Sequence, residues 1–207
     1  IHRMHRLHLT PVAATVLVLV AVLGLSSCGG DVPVGSIEIL ERLQHDPDAY
    51  TQGLLFTEGL LYESTGKYGG ESSIRKSKLT TGEILRKVPL SDREFGEGLA
   101  LVGDKLYQLT WKEGVCHVYD LDLNKVREFK YDGQGWGLTY DGQSLIMSDG
   151  TDVLRFRDPK TFRVLRSVSV RNRRERVIRL NELEDVGGAV LANVWKTGRI
   201  AIIDPTS

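Results

Sequence analysis

A glutamine, a glutamate, a tryptophan and an asparagine stand at matching points of a phrase that this 207-residue chain repeats. They are Gln52, Glu97, Trp136 and Asn181, at intervals of 45, 39 and 45 residues. Their types are complementary. A carboxyl group can relay a proton, a carboxamide both donates and accepts hydrogen bonds, and an indole offers a broad apolar wall. Glu97 lies between Gly96 and Gly98, a setting that points to close backbone approach and controlled exposure. Trp111 and Trp195 follow Glu97 and Asn181 by 14 residues each, so a repeat fold would carry all three tryptophans of the chain to one rim. Two plainer readings stand beside this one: tryptophans that fill the space between packed sheets, and a Glu97 that is a solvated turn residue.

What must position these residues is a set of short antiparallel strands. Alternating segments recur at hairpin spacing, with Gly53–Thr57, Leu60–Glu63, Ser73–Leu79 and Ile84–Leu90 as the first unit. Gly98–Val102, Lys105–Trp111, Val115–Asp120 and Lys125–Tyr131 make a second, and Gly137–Tyr140, Ser144–Ser148, Val153–Arg157 and Arg163–Val168 a third. Val177–Glu182, Ala189–Trp195 and Arg199–Ile203 begin a fourth. Turn residues separate them at Thr80-Thr81-Gly82-Glu83, Asp141-Gly142 and Asp158-Pro159. Four-stranded units repeating at this period predict an all-β fold, a β-propeller whose innermost strands converge on a central channel. Three and a half to four blades do not close a ring. The expectation is therefore a fifth blade beyond residue 207, with the leading strand Ile37–Leu43 completing the last sheet.

The remaining composition excludes more than it suggests. Lysine and arginine number 27, as do aspartate and glutamate, so no basic excess points to nucleic acid. His45 and His117 are too scattered for a metal cluster, Ser72-Ser73 has no base at a hydrolase spacing, and Gly69-Gly70 opens no helix that could cradle phosphate. Cys116 sits in an alternating strand and reads as a buried thiol, and the basic run Arg171–Arg176 as a solvated loop. At the start, His2, Arg3, His5 and Arg6 precede an apolar run from Leu9 to Leu25 and then Ser26-Ser27-Cys28. This resembles a bacterial lipobox: residues 1–27 as signal peptide, Cys28 as the lipidation site, 28–36 as a tether and 37–207 as the propeller domain. The expectation is an exported lipoprotein of the bacterial cell envelope, held to a membrane by the lipid on Cys28.

Seven segments in order carry a family resemblance. They are Tyr50-Thr51-Gln52-Gly53-Leu54, Glu63-Ser64-Thr65-Gly66, Phe95-Gly96-Glu97-Gly98, Gly135-Trp136-Gly137-Leu138-Thr139, Ser148-Asp149-Gly150-Thr151, Arg179-Leu180-Asn181-Glu182-Leu183-Glu184 and Ala192-Asn193-Val194-Trp195. Together they resemble the glutamine cyclotransferase family, the plant and bacterial glutaminyl cyclases. The resemblance implies a five-bladed, monomeric propeller that acts on peptides or proteins with an N-terminal glutamine, closing it to pyroglutamate and releasing ammonia. The family's essential acid falls on Glu97, and its pocket residues on Tyr50, Gln52, Phe95, Trp111, Trp136, Asn181 and Trp195. No metal or organic cofactor is implied. Glu97 would shuttle the proton, Gln52 and Asn181 would hold the amide or the developing oxyanion, and the aromatic rings would fold the substrate side chain. The chain departs from the pattern at Gln134, where the family is usually acidic, at Gly198, and in lacking the last blade's motifs. The rival expectation is a non-catalytic, lipid-anchored propeller that binds peptides or envelope components.

Overall fold

The computed structural model describes residues 14–17 and 34–206, and every regular element among them is a β-strand. The first two, β1 (Ala14–Leu17) and β2 (Glu41–Gln44), form a small antiparallel sheet. The first blade is β3 (Thr51–Thr57), β4 (Leu60–Thr65), β5 (Ser73–Lys78) and β6 (Ile84–Pro89). The second is β7 (Gly96–Val102), β8 (Lys105–Thr110), β9 (Val115–Asp120) and β10 (Lys125–Lys130). The third is β11 (Leu138–Tyr140), β12 (Leu145–Met147), β13 (Val153–Arg157) and β14 (Val164–Ser169). A two-stranded hairpin, β15 (Arg171–Asn172) and β16 (Glu175–Arg176), leads to a three-stranded sheet of β17 (Leu180–Val186), β18 (Ala189–Val194) and β19 (Arg199–Ile203).

Each blade is an antiparallel meander in chain order, as the turn chemistry dictates. At Asp158-Pro159, for instance, the Asp158 carboxylate accepts the amides of Lys160 and Thr161 at 2.7 and 2.8 Å, a local turn that substitutes for ladder bonds. The core lies between neighbouring sheets. Tyr62, Ile74, Leu99, Leu106 and Tyr119 fill the space between the first two blades. Leu109, Cys116, Leu138, Leu145 and Met147 do so between the second and third, and Ile146, Leu154, Phe156, Leu180 and Val190 between the third and the three-stranded sheet. Each such fully buried aliphatic contributes roughly 1.5–3 kcal/mol. The fourth strands, β6, β10 and β14, are mostly exposed.

The innermost strands touch one another through glycine. A Cβ on Gly98 would stand 2.4 Å from the Leu138 nitrogen, and one on Gly137 would stand 2.1 Å from the Asn181 oxygen. Only a residue without a side chain permits that approach, and it is sealed by Gly98 N–H donating to the Trp136 carbonyl at 2.7 Å.

Three expectations need correction or limits. The leading strand is shorter than expected: residues 37–40 form no strand, and β2 pairs with β1, inside the expected leader, whereas the sheet it was expected to complete would lie beyond residue 207. Alternation marks a strand but does not name its partner. The basic run is a hairpin, not a loop, with Arg171 paired to Arg176 in register and the Arg176 guanidinium bonded to the buried Asp152 carboxylate. Apart from β1, the expected leader and Cys28 lie outside the described residues.

Candidate active site

Register slips aim the entrance residues. Between β3 and β4 the pairing shifts by one residue between Thr51 and Gly53, between β7 and β8 from Gly96 to Leu99, and between β17 and β18 from Leu180 to Leu183. The extra residue in each case falls at Gln52, at Glu97-Gly98 and at Asn181-Glu182. A bulge of this kind turns a side chain out of the alternating pattern, here at the same end of each blade. In the third blade Trp136 precedes β11 instead and is fixed by its N–H donating to the Ser148 carbonyl at 3.0 Å.

Glu97 is 6% exposed, which excludes the solvated turn residue, and its carboxyl makes no hydrogen bond with another described residue. Burial, and then the negative charge of Glu113, raise its pKa to about 9. At neutral pH the group therefore rests protonated. The carboxamides of Gln52 and Asn181 are half-buried and unengaged by other described side chains.

Around them stands an aromatic wall. Phe95 lies 6.2 Å from Tyr50, 5.7 Å from Trp111 and 5.1 Å from Tyr68, measured between ring centroids. Trp136 meets Trp195 edge to face at 5.4 Å. The two groups are joined by Gln134, whose side-chain oxygen accepts from the indole nitrogens of Trp111 and Trp136 at 2.8 and 2.9 Å. The tryptophans thus line a rim rather than fill the space between blades, Trp195 being 41% exposed. Two glycines seat this wall: a Cβ on Gly66 would meet the Phe95 ring at 2.1 Å, and one on Gly150 the Trp136 ring at 2.6 Å. Ring contacts and the Gln134 bridge thus bring together Tyr50, Phe95, Trp111, Trp136 and Trp195, while Gln52, Glu97 and Asn181 stand at the bulged starts of β3, β7 and β17.

Sequence reasoning missed three members. Tyr68 leans over Phe95 and Trp111, and its phenol is raised first by burial and then by the charges of Glu113 and Glu97. Glu113 accepts the Phe95 and Lys112 amides at 3.5 and 3.3 Å. Glu182 takes the place that Gly53, Gly98 and Gly137 hold in the other blades, with one carboxyl oxygen buried and unpartnered among the described residues. Only Glu182 left a signal, as the break in a glycine that otherwise follows each entrance residue. Cys116 is fully buried, which pushes its thiol up and leaves it a core residue.

The chemistry available here is proton transfer by a buried carboxyl of raised pKa, with an aromatic wall beginning at the neighbouring Phe95 and two carboxamides that no other described side chain engages. Comparison with known proteins agrees in family. The sequence profile of the glutamine cyclotransferase family matches residues 13–207. A glutaminyl-peptide cyclotransferase of Arabidopsis thaliana is 44% identical over 175 residues, covering 83% of this chain and 54% of the relative, so the chain spans about half that relative's length. The crystal structure of Myxococcus xanthus glutaminyl cyclase superposes with a TM-score of 0.76 at 36% identity, over 82% of this chain and 72% of that one. The WD40 domain of Neurospora crassa Pan2, at a TM-score of 0.57 and 10% identity over 80% of this chain and 51% of that one, shares the propeller fold alone. The chain belongs to the glutamine cyclotransferase family.

Proposed function

We propose that this protein cyclises N-terminal glutamine of peptides or proteins to pyroglutamate with release of ammonia. The observation that carries the reading is Glu97, a buried carboxyl with no hydrogen-bond partner among the described residues and a pKa of about 9, two residues from Phe95 of the aromatic wall. The α-nitrogen of the substrate attacks its own side-chain amide carbon, so no external nucleophile is required. As the new C–N bond forms and the old one breaks, protonated Glu97 gives its proton to the departing nitrogen. Its carboxylate then takes the proton shed by the attacking nitrogen, and the residue ends as it began. Gln52 and Asn181 orient the amide and its developing oxyanion, while Phe95, Trp111, Trp136 and Trp195 hold the methylenes folded. Attack needs the neutral amine, which titrates near ~8, and donation needs protonated Glu97. The rate constant kcat/KM is therefore expected to rise with pH up to ~8 and to fall above about 9.

The decisive assay gives the protein a glutaminyl peptide and measures pyroglutamate and ammonia together. Equimolar products from wild type, with a loss of about 10²- to 10⁴-fold in Glu97→Gln, support the reading. Ammonia without pyroglutamate would make it an amidase, and binding without turnover a peptide-binding module.

We further propose that the protein acts as a monomer in the bacterial cell envelope, anchored by lipid on Cys28. The support is the sequence Leu25-Ser26-Ser27-Cys28 after an apolar run. A mature chain that starts at a lipid-modified Cys28 is expected in mass spectra. Recovery of residues 14–17 in the mature chain would overturn this, and would leave β1 beside β2.

A further inference from the structure

Glu113 is held against Phe95, its carboxylate accepting the Phe95 amide at 3.5 Å and the Lys112 amide at 3.3 Å. It lies in the turn after β8, between Trp111 and Gly114, and hydrogen bonds tie that turn on both sides. The Thr110 hydroxyl is bonded to both the amide and the carbonyl of Val115 at 3.0 Å, and Tyr131 N–H donates to the Gly114 carbonyl at 2.8 Å. A side chain on Gly114, at φ +64°, would strike the Tyr131 carbonyl at 2.4 Å, so the position requires glycine. This fixes Glu113 beside Phe95, whose carbonyl accepts Trp111 N–H at 2.9 Å.

No lysine or arginine among the described residues pairs with Glu113. The nearest in sequence, Lys112, has its ammonium 3.8 Å from the centroid of the Trp111 ring instead. A carboxylate is thus set beside the aromatic wall, close enough to the buried Glu97 to oppose its ionisation. A cation arriving beside Glu113 would meet a carboxylate that no described lysine or arginine neutralises. The one cation that every peptide substrate of the proposed reaction carries is its α-ammonium.

We propose that Glu113 receives the α-ammonium of the substrate's first residue at the pocket mouth, with Tyr68, Phe95 and Trp111 walling it in. This rests on the cyclase reading of the site and adds to it the group that selects a free N-terminus. Seated there, the ammonium gives its proton to water, and the neutral amine turns to attack. The titratable and charged groups facing the pair are Tyr68 from the loop after β4, Tyr131 from the end of β10 and Lys112 from the same turn. Both phenols are pushed up by burial, so neither titrates across the working range.

The test has an activity arm and a binding arm. In Glu113→Gln, KM is expected to rise about 10- to 100-fold, the worth of one charge-assisted hydrogen bond, with kcat changed less than about threefold. The alkaline limb of kcat/KM should also move to lower pH, because Glu113 no longer opposes ionisation of Glu97. Glu113→Asp should recover part of both effects. For binding, calorimetry compares a peptide with N-terminal norleucine, which keeps the ammonium but has no amide to cyclise, with its N-acetylated form. Wild type should prefer the free amine at least about tenfold, and Glu113→Gln should lose that preference. A wild-type KM with an unmoved alkaline limb, or an undiminished preference for the free amine, overturns the proposal. A wild type that binds the free amine through Glu113 but forms no pyroglutamate overturns the cyclase reading alone.

Discussion

The side-chain oxygen of Gln134 accepts the indole N–H of Trp111 at 2.8 Å. The same atom takes the Trp136 indole at 2.9 Å, so one exposed side chain joins the aromatic groups of the second and third blades. The family resemblance expects an acid at this position. An amide oxygen performs the same acceptor role, so the change keeps the clamp and drops only a charge. Gln134→Glu is therefore expected to keep near-normal turnover. Gln134→Leu frees both indoles, and with about 1 kcal/mol lost for each bond, kcat/KM should fall roughly 10- to 30-fold while the unfolding midpoint hardly moves. Steady-state kinetics together with near-ultraviolet circular dichroism of the indoles check this, and full activity in Gln134→Leu would refute it.

The buried acid also leaves a mark on stability. Folded Glu97 binds its proton up to about pH 9, whereas the same group in the unfolded chain releases it near its model value of 4.5. Between those values the folded state holds more protons, so its stability declines as pH rises through the window. Glu97→Gln cannot titrate and escapes this decline. The stability of the variant relative to wild type should grow by more than about 1 kcal/mol between pH 5 and pH 8. Urea melts at the two pH values measure it. A difference that stays constant would mean that Glu97 is not the buried, unsatisfied acid described above.

Much of the fold was legible because strand alternation and turn residues are local. Val115–Asp120, Val153–Arg157 and Arg199–Ile203 were readable to the residue, since each is bounded by a turn. The entrance residues were legible because three of the four are followed by a glycine. The bulges behind Gln52, Glu97 and Asn181 were not, since a one-residue slip in pairing depends on the partner strand and leaves no pattern of its own. Glu113 carries no motif of its own in the sequence, and only the fold brings it against Phe95. Tyr68 was hidden in the same way, behind a Gly69-Gly70 pair that gives its loop two left-handed residues. The motif residues Gly66 and Gly150 gain a reason that sequence could not supply, as floors beneath Phe95 and Trp136.

A buried ionic cluster anchors the first entrance strand. Glu63 is 1% exposed on β4, where it accepts from Arg75 Nε at 2.7 Å and from the Thr51 hydroxyl, and lies 2.9 Å from His45 Nε2. Arg75 reaches on to Asp46 at 2.7 Å. The cluster therefore ties residues 45 and 46, just ahead of Tyr50 and Gln52, to the middle strands of the blade. Its removal is costly because Arg75, 3% exposed, would keep only Asp46, a partner whose side chain is 38% exposed. Glu63→Ala should lose about 3–5 kcal/mol of stability, the usual cost of a buried charge left without its partner. Glu63→Gln, which keeps an acceptor for Thr51 and His45, should lose less. Replacing both charges, as Glu63→Leu with Arg75→Met, should recover part of the loss, because the stranded charge is then gone. Urea denaturation of the three variants orders them. If the double variant were the least stable of the three, the attraction between the charges would outweigh the cost of burying them, and the cluster would be a net source of stability instead of a means of fixing where the first entrance strand begins.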